Sequence, residues 1–145
     1  MSQKQQKLAL SEEPQSTSST CHSETFTIPM KLPGLNEYTT ANRRNQYQGA
    51  SMKKTTEKEI ALYVSNALVR GKIHRHKKQC RLKFVWHEKN MRRDGDNVAF
   101  AVKFIQDAMV ARGVFPNDNR KYINGLHHEF VVDDDYFVEV TIEEI

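Results

Sequence analysis

The chain has 145 residues, enough for one domain, and carries a net charge of +4 with a pI near 9.1. That modest basic excess is compatible with a nucleic-acid partner without demonstrating one. No apolar run is long enough for a signal sequence or a membrane span, and Cys21 and Cys80 lack metal-ligand spacing, so the composition reads as a cytoplasmic protein with reduced thiols.

Residues 1–23 are rich in Gln, Ser, Thr, Lys and Glu and lack periodicity, which predicts a disordered tail and leaves 24–145 as the folded domain. Residues 25–30 alternate as a strand does, and Pro29 marks its end or an edge position. Residues 32–48 read as a long polar loop holding Asn36, Tyr38, Arg43, Arg44 and Tyr47. Basic and aromatic side chains interleaved in this way suit phosphate contact and base stacking, and they suit an ordinary solvated loop equally well. Residues 55–69 predict a helix capped by Thr55 or Thr56, with Ile60, Val64, Ala67 and Leu68 on its apolar face. Residues 70–81 follow as the most basic stretch, in which Lys77 and Lys78 are candidate phosphate contacts or simply part of a solvated connection. His74 and His76 lie two apart with no third ligand evident nearby. Residues 79–87 predict a strand with Cys80, Leu82, Phe84 and Trp86 on one face.

Residues 92–118 concentrate the chemistry. Asp94 and Asp96 flank Gly95, Asn97 follows, and a helical pattern then runs to about Arg112 and stops at Gly113. Taken at about 100° per residue, Val98, Ala101, Val102, Ile105 and Met109 share the buried face, while Asp96 and Lys103 fall opposite, with Asp107 one turn further on. Asp118 lies in a Pro/Asn/Asp turn beyond. Each piece has a plain structural reading: a helix cap at Asp96 or Asn97, a surface ion pair, turn chemistry. The combination points further, because Asp94 and Asp96 cannot both cap one helix, and crowded carboxylates call for a proton, a cation or the neighbouring Arg92 and Arg93.

These residues resemble the RusA family of Holliday junction resolvases, especially its phage and prophage branch. The family's pattern is an Arg, Asp-x-Asp-Asn, a Lys along the next helix, Asp-Ala-hydrophobic, Gly-hydrophobic and an acidic turn. It is matched by Arg93, Asp94, Asp96, Asn97, Lys103, Asp107, Ala108, Met109, Gly113, Val114 and Asp118. Upstream, Leu32-Pro33-Gly34-Leu35-Asn36 resembles the family's Leu-Pro-x-x-Asn after the first strand, so the resemblance spans 26–145. The spacing from Asn97 to Lys103 exceeds the family's shorter form by about three residues, just under a helical turn. Asn117 stands where the family often has a second Asp, which leaves Asp118 to supply the third carboxylate.

The resemblance implies a homodimeric, Mg²⁺-dependent endonuclease for four-way and branched DNA in recombination and repair, in a bacterial cytoplasm and of phage or prophage origin, with Mn²⁺ as an alternative ion. It implies Asp94, Asp96 and Asp118 as metal ligands, Lys103 beside the scissile phosphate, Arg93 on the DNA backbone, and Asn97 orienting a carboxylate or a metal-bound water. It also draws Asn36 towards the active-site side of the molecule, with Arg43 and Arg44 on the same stretch. Asp107 is a second-tier candidate. The alternatives are a non-catalytic DNA-binding protein and a nuclease of the same fold specific for flaps or forks.

Beyond Asp118, residues 122–132 and 136–142 predict a hairpin turning through Asp133, Asp134 and Asp135, with that acidic run serving turn and solvent. His127 and His128 face opposite sides of the first of these strands. The expected fold is α+β: a small mixed sheet with two main helices, in the order β-α-β-α-β-β.

Overall fold

The computed structural model describes residues 23–145; the tail expected over 1–23 therefore lies outside the described residues, apart from Ser23, which is already in a strand. Strand β1 (Ser23–Ile28) buries every second side chain. Helices α1 (Leu35–Arg44) and α2 (Gln46–Val69) follow, then strand β2 (Cys80–Glu88), the short helix α3 (Gly95–Ala99), helix α4 (Val102–Ala111), and strands β3 (Ile123–Val132) and β4 (Phe137–Glu144).

The sheet is mixed, in the order β1-β4-β2-β3. β4 runs antiparallel to both β1 and β2, whereas β3 runs parallel to β2. The alternation in β2 places Cys80, Leu82, Phe84 and Trp86 on one face, the last three in register with Ile142, Val140 and Val138 of β4. The period of two sends that whole set to the same side of the sheet. There it meets Ile60, Ala61, Val64 and Ala67 of α2 and Phe104, Ile105, Ala108 and Met109 of α4, forming one buried core. The domain is thus two layers, helices against one face of the sheet.

Residues 32–48 are not a loop. They fold as α1 and the start of α2, which begins at Gln46 rather than Thr55. Glu37 turns back to accept the Gly34 N–H at 3.1 Å and so starts α1. Asn45, extended, breaks the two helices apart and caps α2 by accepting the Gln48 N–H at 2.9 Å. Tyr38, for which base stacking and a solvated loop position were equally open, packs against the rings of Phe100 and Phe104.

The helix expected to run to Arg112 is interrupted. Tightened bonds from Ala101 N–H to Val98 O and from Lys103 N–H to Phe100 O, both 3.3 Å, separate α3 from α4. Its N-cap is Asp94, not Asp96 or Asn97, and the Asp94 side chain makes no capping bond. The far end is as expected: Gly113, with φ of 79°, ends α4, and Val114 N–H bonds Met109 O at 2.9 Å.

β3 and β4 do not form a hairpin, because β2 lies between them. The connection crosses the end of β2, where Asp133 N–H bonds Glu88 O at 2.8 Å. His87 of β2 meets Asp133 at 2.9 Å through Nδ1 and Glu139 at 2.7 Å through Nε2, and its ring stacks on Phe137. The acidic run is therefore pinned to the sheet through Asp133, whose carboxyl is held below its usual range by the Asp134 backbone N–H and by His87. A strand as apolar as β2 gains more from a neighbour on each side than from an exposed edge, and this placement supplies both.

Candidate active site

The two matched segments, 61 residues apart at Asn36 and Asn97, are in direct contact. Asn97 Oδ1 accepts the Asn36 backbone N–H at 2.9 Å. A Cβ added to Gly34 would lie 2.5 Å from the same oxygen, so glycine is what lets the chain pass this close. Arg93 completes the join. Its guanidinium meets both oxygens of Glu88, at 2.9 and 2.6 Å, donates to Leu32 O at 3.0 Å, and lies 3.5 Å from Glu37. A two-pronged Arg–carboxylate pair is both strong and directional. Arg93, expected to hold DNA, points its donors into the protein and ties β2 to the start of α1.

Held in this way, Asp94 and Asp96 open α3 with both side chains exposed. Asp96 accepts the Asn97 N–H at 3.0 Å, and among the described residues neither carboxylate forms an ion pair. Asp94 stands in the wall of a cleft of about 300 Å³, lined also by Glu88, Met91, Arg93, Phe130 and Val132. Asn36 and Arg44 line a separate hollow of about 410 Å³ with Glu37, Thr40, Gln48 and Met52. Arg43 and Arg44 occupy the exposed last turn of α1, where positive charge complements the helix end.

Lys103 reaches two carboxylates at once: Asp107 Oδ1 at 3.2 Å and Asp118 Oδ2 at 3.3 Å. The bond to Asp107, and then that to Asp118, raises the ammonium's pKa above its ordinary value. Behind Asp107 stand two residues that were not among the site candidates of the sequence. Lys53 Nζ lies 3.7 Å from Asp107 Oδ2 and 4.0 Å from Glu57. Glu57 has its pKa raised by burial first and by its contact with Asp107 second. The pair Lys53 and Glu57, four apart on α2, could have been read from helical spacing had α2 been started early enough to contain Lys53.

The basic stretch after α2 is anchored by its histidines. His76 is buried, meeting Glu144 at 2.8 Å through Nδ1 and Glu24 at 2.8 Å through Nε2, and His74 bonds Glu24 as well. These rings serve β1 and β4, while Lys77 and Lys78 stay exposed.

Asp94, Asp96 and Asp118 are hard oxygen donors of the kind Mg²⁺ takes, and all three reach solvent. As the chain stands they are not gathered into one ligand set: among the described residues no group of three or more His, Cys, Asp or Glu side chains is placed to hold a metal ion. Asp118 is instead turned to Lys103. The donor chemistry fits the ion, and Asp118 would have to leave Lys103 to join such a set. No helix among the described residues is long and apolar enough to cross a membrane. No protein-family model matches the chain, and no curated protein sequence matches it significantly.

Proposed function

We propose that this chain is a divalent-metal-dependent endonuclease for branched DNA, with four-way junctions as its substrate and two copies making the two opposed cuts. The observation that carries this reading is the contact between Asn36 and Asn97. It joins two segments distant in sequence, both of which carry the family resemblance, at the base of the short helix that presents Asp94 and Asp96.

Asp94, Asp96 and Asp118 would hold the ion, which when bound would polarise the scissile phosphate and favour an attacking hydroxide. The chain's own residues do the rest. Arg93 and Asn97 fix the backbone from which Asp94 and Asp96 project, so that little reorganisation remains on binding. Lys103, freed from Asp118, offsets charge developing on the phosphate, and Asp107 keeps the ammonium from swinging away. Lys77, Lys78, Arg43 and Arg44 contact duplex phosphates and carry no sequence information themselves.

One observation favours a second reading. The Lys103–Asp118 bond holds the third carboxylate away from a ligand set, as in a DNA-binding protein without catalysis. Incubation with synthetic four-way junctions, flaps, forks and linear duplex, each with Mg²⁺ or with EDTA, separates these. Mg²⁺-dependent paired nicks in the junction are expected. Preferential cutting of flaps or forks moves the substrate, and tight junction binding without cleavage in either buffer overturns the nuclease reading.

A further inference from the structure

β3 ends the sheet, bonded on one side to β2, and among the described residues no strand pairs with its outer edge. It is ten residues long and has neither Pro nor Lys, two of the devices that keep such an edge from pairing, and the one register irregularity in its pairing with β2 lies before Leu126, leaving the run from Leu126 to Val132 regular. It also exposes large apolar side chains: Leu126 is 48%, Phe130 47% and Val132 57% accessible. Leu126, Phe130 and Val132 share one face by the period of two, and His127 and Glu129 share the other. An edge of this composition is built to be covered.

The order of these side chains says by what. When two identical strands pair about a twofold axis they run antiparallel, and each residue faces one whose number makes a constant sum with its own. An axis at His128 sets Leu126 against the partner's Phe130 and His127 against the partner's Glu129, and the same contacts recur on the other side. The axis also sets His128, whose Nδ1 accepts the Trp86 Nε1–H at 2.9 Å, against its own copy, and the pairs on either side of it are favourable at once: apolar with aromatic on one face, imidazole with carboxylate on the other. Within one chain His127 Nε2 already meets Glu129 Oε2 at 3.0 Å, and Lys83 lies 3.9 Å from the same carboxylate, so the open face carries alternating charge that a rotated copy of itself complements.

We propose that the outer edge of β3 is the surface through which two copies of this chain pair, antiparallel about an axis at His128, joining two four-stranded sheets into one of eight. Phe130 also lines the cleft of Asp94. The pairing therefore sets the two Asp94 clefts on either side of the axis, with the partner's Leu126 against the wall that Phe130 forms. This names the surface for the two copies that the nuclease reading calls for. It is argued from the strand itself and tested without DNA or metal, so either can fail alone.

The test uses the full chain in sedimentation velocity across a concentration series. A reversible monomer–dimer equilibrium is expected. His127→Glu puts a carboxylate opposite the partner's Glu129 twice per dimer and is expected to weaken association roughly tenfold, since like charges directly opposite repel. Adding Glu129→Lys to that variant restores an opposite-charge pair and is expected to return association to near the original value. Both side chains are exposed, and circular dichroism checks that the variants fold. A second measurement fixes the register. Facing residues have Cα atoms about 4.5–5.5 Å apart, within reach of a disulfide, while diagonal ones at roughly 7–8 Å are not. With Cys21 changed to Ser, which leaves only the buried Cys80, a mixture of His127→Cys and Glu129→Cys chains should therefore cross-link on oxidation, and each alone should not. A monomer at every concentration overturns the proposal, as does a dimer indifferent to His127→Glu or a mixture that fails to cross-link.

Discussion

Gly34 has no room for a side chain, and that gives the site its sharpest test at the level of one residue. Gly34→Ala would drive a Cβ to within 2.5 Å of Asn97 Oδ1 and break the Asn36–Asn97 bond. The expected cost is about 1–3 kcal/mol in urea unfolding, the range for overpacking a close contact. Adding Asn97→Ala should recover part of it, because the two changes share one contact and are not additive. The cleavage proposed above would rest on other atoms. Asp94→Asn, Asp96→Asn and Asp118→Asn each keep the side-chain shape and remove a hard anionic ligand. Each should lower Mg²⁺-dependent junction cleavage by more than the roughly 10- to 100-fold typical of a residue that only orients a ligand. Junction binding in EDTA should survive. Lys103→Ala should lose cleavage and some binding together. Near-normal cleavage by folded Asp94→Asn or Asp96→Asn would remove the metal assignment.

Between elements, the contact of α2 with α4 carries a pH dependence. The Glu57 carboxyl titrates above its ordinary value of 4.5, through burial first and Asp107 second. The folded state then holds the Glu57 proton more tightly than the unfolded state does. Its contribution to stability is present at low pH and is lost as pH rises from about 4.5 through the raised value. Glu57→Gln, which cannot lose a proton, should therefore gain in melting temperature relative to the original chain as pH rises through that window, and the two should converge in acid. A constant difference across the window would show that Glu57 does not titrate against Asp107. The connection from α2 to β2 makes a separate prediction. Charge reversal at Lys77 and Lys78 should weaken binding to every DNA shape by a similar factor and flatten the salt dependence, since phosphate contacts release counterions. His76 holds that connection from inside the fold, so the exposed lysines can change without disturbing it.

Elements were legible in the sequence where burial is periodic. The alternation of Cys80, Leu82, Phe84 and Trp86 marks β2, and Val98, Ala101, Ile105 and Met109 lie buried as their spacing predicts, while Val102, expected with them, is only half-buried. α1 was invisible for the same reason: Ala41 is its one buried residue, so no apolar stripe announces it, and the signals that start and stop it are local bonds from Glu37 and Asn45. The role of Arg93 could not be read because its partner, Glu88, ends the preceding strand and looks like any surface acid until the chain folds back. The hairpin expectation failed because neighbours in sequence are usually neighbours in a sheet, whereas here β2 takes the place between β3 and β4.

At the scale of the molecule, the helices cover one face of the sheet and leave the other polar and crossed by side-chain pairs: Arg81 with Glu143, Thr25 with Thr141, Lys83 with Glu129. β1 closes one end of that sheet, in register with β4 from Ser23↔Glu143 to Ile28↔Val138. Phe26 and Ile28 enter the core, and Glu24 meets His74 and His76. Two deletions, one on either side of β1, test where the folded domain begins. Removing residues 1–22 should leave the fold and junction nicking intact, with a melting temperature within about 2 °C of the full chain, a shift that corresponds to less than roughly 1 kcal/mol for a domain of this size. Removing residues 1–28 should instead abolish folding, because it strips the core of Phe26 and Ile28 and leaves the buried His76 without the Glu24 carboxylate. A protein shortened by 22 residues that unfolds, or one shortened by 28 that still melts cooperatively, would place the boundary of the domain elsewhere than at β1.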